Sequence, residues 1–383
     1  MTGMTQDAPP VAPAQHDGAG VRTWSLTWHG VRTVVALELR QRVRSSRWKT
    51  ALVVWVVVVG AITLLSSGAL SWMLGGTGDE QSRGPLLFMI VTFLVLGLGL
   101  LVTPTLTSTA VNGDRAAGTL ATLQVTLLSP AEIALGKLLA AWFSALAFLA
   151  VSLPFLVLAV AMGDVAVLAL PRVVLLIALL LASVCGIGLG WSTIAARPAG
   201  STVLTFLTVA GLTIFTPVFF AITYPAITTT EEVTVFGVTD EAWEDFDDAT
   251  GYPRCTYYQD VRDVAHTERT SWLLTVNPFV VVADGAGTGP ANDPRSSVYR
   301  VDPTAELSRG VRDLAAPPTA IDECWSWGEG EPAPTDGPEI TVGGPVWPWG
   351  LAVNLLLGGL GFAVAVRRLR IPQRTLARGT RVA

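Results

Sequence analysis

Six stretches of this chain, Thr50–Leu74, Leu86–Val111, Leu138–Met162, Val173–Ala196, Thr202–Ile227 and Trp347–Val366, are apolar, and none holds a charged residue in its interior. Each reaches the roughly 20 residues that a helix needs to cross a bilayer. In hydrocarbon a spanning segment must satisfy its own backbone N–H and C=O groups, so runs of this length are read as helices. Only 14% of the residues are charged and the mean hydropathy is +0.51, against about 25% charged in soluble domains. The expected fold class is therefore an all-α polytopic membrane protein with six transmembrane helices. Small residues recur in the runs, as at Gly97/Gly99, Gly186/Gly188/Gly190 and Gly358/Gly359/Gly361, where they let helix backbones approach closely. Pro104, Pro154 and Pro217 predict kinks whose freed carbonyls neighbouring helices can satisfy.

Basic residues set the expected orientation. One side of the six runs holds 16 Lys/Arg, from the N-terminal segment, the 112–137 loop, Arg197 and the tail after Val366; the two short loops on the other side hold only Arg83 and Arg172. Both termini are expected on the cytoplasmic side.

Residues 1–20, rich in Ala, Pro and Gln, contain no apolar run and read as a disordered cytoplasmic tail. In residues 21–49, Trp24, Trp28, Val31, Val35, Leu39 and Val43 recur on one helical face, with Arg32, Arg40, Arg42, Arg44 and Arg47 crowding the remainder. That pattern suits a helix lying in the headgroup plane. Residues 50–227 hold the first five spans and 346–366 the sixth. The basic tail, 367–383, suits a lipid surface or simply marks topology.

Residues 228–345 carry 22 Asp/Glu against 7 Arg and are expected to form a large acidic extracytoplasmic domain, loop-rich, with a strand at Thr234–Val238. Trp272–Ala283 is too short to span and reads as juxtamembrane or re-entrant. Cys255 and Cys324 lie in this segment; they are either a disulfide, which an oxidising compartment allows, or two free buried thiols. Cys185 reads as a small core residue.

The polar interruption between the second and third runs is itself patterned. Leu120, Leu123, Leu127 and Leu128 fall at helical spacing, and Ser129-Pro130-Ala131-Glu132 reads as a capping box with proline at the first helical position. The stretch resembles the first cytoplasmic loop of ABC transporter permeases of the ABC-2 class. The resemblance rests on Asp114-Arg115, Gly118-Thr119-Leu120, Leu127-Leu128-Ser129-Pro130 and Gly136-Lys137-Leu138-Leu139, with Glu132 returning the cap; Asp114 stands where the family usually has Glu. It extends, more weakly, to the layout of spans and does not cover the large acidic segment. It implies that the N-terminal amphipathic helix is an elbow leading into the first span. It also implies that the 112–137 loop couples to a separate ATP-binding subunit, present in two copies. A second permease subunit, as homo- or heterodimer, would complete an exporter in the plasma (cytoplasmic) membrane. ATP and magnesium would belong to the partner, and no cofactor to this chain.

The residues agree with that division of labour. Gly136-Lys137 is not a phosphate-binding loop, because Ala131 and Leu138 stand where Gly and Ser/Thr are needed. His16, His29 and His266 are scattered, so no metal set is expected. Glu244, Asp245, Asp247 and Asp248 lack calcium-loop spacing and read as a solvated acidic face. No catalytic constellation is expected, and nucleic acid is not an expected partner. The spans hold no carboxylate or histidine of the kind ion-coupled carriers use, so energy for transport would come from elsewhere. The competing reading is a non-transporting membrane anchor or scaffold that presents the acidic segment as a binding or sensor domain.

Overall fold

The computed structural model of the chain describes residues 23–74, 83–118, 128–163, 165–239, 255–287, 302–317, 321–323 and 343–370. The expected disordered tail, the acidic run at 244–248, residues 119–127 with most of the leucines at helical spacing, Cys324 and the last thirteen residues lie outside the described residues. Before the first span comes α1 (Trp28–Arg44). Ser45, at ψ 129°, is extended and ends it. The next helix, α2 (Ser46–Leu74), therefore already contains Arg47 and Lys49. The expected single amphipathic segment at 21–49 is thus split, and the helix of the first span starts four residues earlier than its apolar run.

Among the described residues, six helices are long and apolar enough to cross a membrane. They lie in α2, α3 (Arg83–Thr107, followed by the short α4, Asn112–Ala116), α5 (Pro130–Ala161), α6 (Ala169–Ile194), a rod made of α7 (Pro198–Ala210) and α8 (Thr216–Thr223), and the last helix, Trp347–Arg368. The sixth helix is numbered below after the elements that precede it. The chain is a multi-pass, predominantly helical membrane protein.

Packing is uneven. In its most apolar window, α6 is 72% buried, while α2 and the α7–α8 rod are only 22% and 17% buried. Central α6 meets the last helix backbone to backbone. A Cβ on Gly186 would lie 2.3 Å from the Gly358 carbonyl oxygen, and one on Gly361 would lie 2.4 Å from the Gly186 oxygen. The expected close approach is thus present there, and it excludes any larger residue. Gly359 points away, with nothing within 4 Å of its would-be Cβ. The outer rows of α2 and of the rod, among them Val53, Leu64, Leu65, Val203, Ile214 and Ile222, are exposed apolar side chains, the surface a bilayer solvates.

The rod is not a plain helix. Gly211–Phe215 forms a π-type turn between α7 and α8. Pro217 has no N–H to give the Thr213 carbonyl four residues back, and the Asn277 amide donates to that carbonyl instead, at 2.9 Å. The same amide also donates to Thr216 Oγ1 at 3.1 Å.

Between the fifth and sixth spans, β1 (Thr228–Gly237) and β2 (Thr256–Ala265) pair antiparallel in full register from Thr228↔Ala265 to Gly237↔Thr256. The strand β1 also pairs parallel with β3 (Ile321–Asp322). The strand expected at Thr234–Val238 begins six residues earlier, at Thr228. The partner strand escaped sequence reading because its Tyr, Gln, Asp and Arg residues do not alternate cleanly with apolar ones. Arg262 grips Glu323 with Nε and Nη2, at 3.0 and 3.2 Å, and fastens the hairpin beside β3. That carboxylate pushes the guanidinium pKa further up. Cys255, just before β2, is disulfide-bonded.

The Trp272–Ala283 stretch becomes α9 (Trp272–Thr275) and α10 (Pro278–Ala286). Asn277 caps α10 by accepting from the Phe279 N–H at 2.9 Å. Val281, Val282 and Ala286 join the same buried cluster as Leu176, Ile177 and Leu351 of the spans. The stretch therefore packs into the bundle. Next come α11 (Pro303–Ala315) and α12 (Trp347–Arg368).

Candidate functional site

The patterned 112–137 stretch lies at the end of the bundle that carries α1. Helix α5 starts with the expected capping box. Ser129 Oγ accepts from the Glu132 N–H at 3.1 Å, and Glu132 Oε2 accepts from the Ser129 N–H at 2.8 Å. The second carboxylate oxygen is used too, accepting from the Thr27 N–H at 2.7 Å and the Thr27 hydroxyl at 2.6 Å. Thr27 is itself the cap of α1 and accepts from the Gly30 N–H at 3.2 Å. One carboxylate thus joins the N-termini of two helices. The lead-in to α1 is held twice more: Ser129 Oγ donates to the Ser25 carbonyl at 2.5 Å, and the Ala131 N–H donates to the Thr23 carbonyl at 3.3 Å.

From there α1 runs along α5 in close contact. A Cβ on Gly30 would meet Glu132 Cδ at 2.8 Å, and one on Gly136 would meet Val34 Cβ at 2.5 Å. One residue on, the Lys137 ammonium donates to Glu38 Oε1 of α1 at 2.5 Å and also pairs with Asp114 of α4. The Lys137 side chain is 2% exposed, so the two carboxylates take the place of the water it has lost. Arg42, one turn beyond Glu38, reaches Ser144 Oγ at 3.3 Å and the Leu106 carbonyl at 3.1 Å. Burial lowers its pKa, and Glu38 opposes that shift. The inner face of α1 is therefore Val31, Val34, Glu38 and Arg42, which shares Val31 with the expected stripe. Trp28 and Val43 of that stripe are exposed.

The other stem of the loop is fixed to different spans. Ser192 Oγ, at the end of α6, accepts from the Val111 N–H at 2.9 Å, and Asn112 Nδ2 donates to Ser201 Oγ of α7 at 2.7 Å. Ser201 Oγ in turn donates to the Ser108 carbonyl at 2.5 Å. Helix α4 ends at Gly118, whose φ of +74° is the left-handed conformation of a helix-ending glycine.

Of the residues singled out from sequence, Ser129, Glu132, Gly136 and Lys137 are buried, Asp114 and Pro130 half-buried, and Arg115 and Gly118 exposed. Thr119, Leu120 and Leu127 lie outside the described residues. Leu128 is half-buried and packs against the cluster of Val111, Ile133 and Leu369. It is therefore not the water-facing knob its place in the loop suggests. Sequence reading missed Thr27, Glu38, Arg42 and Asn112. Glu38 left a signal, being the one acidic residue in 21–49.

A second buried carboxylate, also missed, organises the opposite end. Asp284 of α10, with a side chain 0% exposed, accepts from Ser308 Oγ at 2.7 Å and Arg312 Nε at 2.6 Å of α11. Its other oxygen accepts from the Val346 and Trp347 N–H groups at 2.8 Å each. It thereby caps α12 and ties the start of that span to α11. The signal was an aspartate at the end of an apolar run, WLLTVNPFVVVAD.

Compared with known proteins, the chain matches no protein-family model and no curated protein.

Proposed function

We propose that this chain is the membrane (permease) subunit of an ATP-binding cassette exporter, paired with a second permease subunit and driven by two copies of a separate ATP-binding subunit. The observation that carries the reading is how the 112–137 stretch is held. Its pattern resembles the coupling loop of ABC-2 permeases, and both of its stems are locked into the bundle. Displacement of the segment between them would pass through Glu132–Thr27 and Lys137–Glu38 to α1, and through Asn112–Ser192 to α6. In this reading α1 is the elbow helix, and both termini are cytoplasmic. The exposed Arg115 and Gly118 would meet the ATPase, and the resemblance implies the same role for Thr119, Leu120 and Leu127. Ser129, Glu132, Gly136 and Lys137 are positioning residues that act from inside. The thinly packed α2 and α7–α8 rod would form the seam with the second permease subunit and move as near-rigid bodies.

The test is co-expression with the ATP-binding cassette protein encoded nearest to this chain. The parent should co-purify with it and stimulate its ATP turnover. Arg115→Glu combined with Leu127→Asp should abolish both, with an unchanged melting curve of the isolated subunit. Leu128 is left intact because it packs inward. A variant that assembles and drives turnover like the parent would remove the loop as coupling element. The anchor reading would then stand in its place.

A further inference from the structure

A groove of about 910 Å³ opens between α2, α3 and α5. Its floor is rigid: Phe148 packs edge-on against Trp48 at 5.0 Å and tilted against Trp55 at 4.9 Å. Trp55 is fixed by donating to Ser152 Oγ at 2.8 Å. Its rims are Val54 and Leu101, 54% and 56% exposed, so the groove faces outward along the spans. At one end stand Arg42 and Arg47, and no acidic side chain lines any part of it. Arg42 is bonded to neutral acceptors, the Ser144 hydroxyl and the Leu106 carbonyl. The nearby Glu38 is taken by Lys137. No carboxylate lies within ion-pair distance of Arg42 or Arg47 among the described residues.

The dimensions single out one class of occupant. The lining runs from Arg47 to Val58 on α2 and from Leu98 to Leu106 on α3, with Thr109 just past the end of α3. These stretches rise roughly 16 and 12 Å along their helices, close to half of a ~30 Å hydrocarbon core. A guanidinium pair at the mouth with one leaflet's depth of apolar wall below it matches a phosphate followed by an acyl chain. A free anion would leave the apolar length unfilled, and a neutral lipid would leave the charges unpaired. We propose that this groove is a binding site for one anionic phospholipid, its phosphate held by Arg42 and Arg47 and an acyl chain lying along the Trp48–Phe148–Trp55 floor. The lipid would brace the junction of α1 and α2.

The test uses the purified full-length chain in mild detergent, titrated with phosphatidylglycerol or phosphatidylcholine of matched chains and followed by native mass spectrometry. One phosphatidylglycerol should be retained with a preference of about tenfold or more, as two guanidiniums imply. Arg47→Gln, which breaks no hydrogen bond or ion pair among the described residues, should weaken that preference about fivefold. Arg42→Gln with Arg47→Gln should abolish it. Leu101→Trp fills the groove from its exposed rim and should expel either lipid without changing the melting temperature. Equal retention of both lipids by the parent would overturn the proposal. So would undiminished phosphatidylglycerol binding in Leu101→Trp. Displacement of the lipid by inorganic phosphate alone would also overturn it, since the acyl chain would then contribute nothing.

Discussion

Glu132 and Thr27 stand 105 positions apart in the chain, yet one oxygen of the Glu132 carboxylate accepts both the backbone N–H and the hydroxyl of Thr27. The residue that closes the capping box of α5 is therefore also the anchor of the chain leading into α1. The cap and the anchor are one group, so a local helix-start signal also sets how the N-terminal helix docks.

That double use changes the expected cost of losing the residue. A helix cap alone contributes on the order of 1 kcal/mol. Glu132→Ala also strands the Thr27 donors in a site where Glu132 is 3% exposed. The total loss should be about 2–4 kcal/mol, read by denaturant unfolding of the purified subunit. A loss no greater than that of an isolated cap would show that the lead-in is held by other contacts.

Lys137 offers a test by coupling. Lys137→Met should remove the buried cation that joins Glu38 to Asp114 and cost about 3–5 kcal/mol. Adding Glu38→Gln should recover part of that loss, because one of the two carboxylates that faced the ammonium is then neutral. Thermal melts of the two single variants and the double variant form the cycle. Strict additivity would mean that the buried pair contributes no coupling energy.

In the fifth span, Asn277 supplies the donor that Pro217 cannot. Asn277→Ala should destabilise by about 1–3 kcal/mol by leaving the Thr213 carbonyl unpaired. Pro217→Ala in the same background should restore a backbone donor and return part of the loss. Without such rescue, the Asn277 bond to Thr213 would not be compensating for the proline.

Two adjacent glycines in α12 should behave differently. A Cβ on Gly358 would sit 2.6 Å from Ser183 Cα, whereas one on Gly359 meets nothing within 4 Å. Gly358→Ala should cost about 1–3 kcal/mol through overpacking, and Gly359→Ala at most about 0.5 kcal/mol. Equal effects on the melting temperature would contradict the packing of α6 on α12.

Orientation is open to labelling. With the positive-inside bias as the guide, Thr335→Cys should react with an impermeant thiol reagent on intact cells, and Gly379→Cys should not. Cys185 is buried and Cys255 disulfide-bonded, so neither should add background. The reverse pattern would invert the topology and with it the transport reading.

The sequence by itself determined the six spans, the start of α5 at Ser129-Pro130 and the close approach at Gly186, Gly358 and Gly361. Each of these is written in residues that are neighbours in the chain. An uncharged run has to be a helix in lipid, a capping box closes within three residues, and a glycine exposes its own backbone. Only the tertiary structure decided which face of α1 turns inward, that Leu128 and Lys137 face the bundle, and that Asp284 caps the last span. It also decided that Thr228–Gly237 finds a partner strand. The reason is range. The partners of these groups lie far along the chain, as Glu38 does from Lys137 or Val346 from Asp284. Amphipathic spacing identifies a helix but says little about its inner face when that face is made of glycines and paired charges.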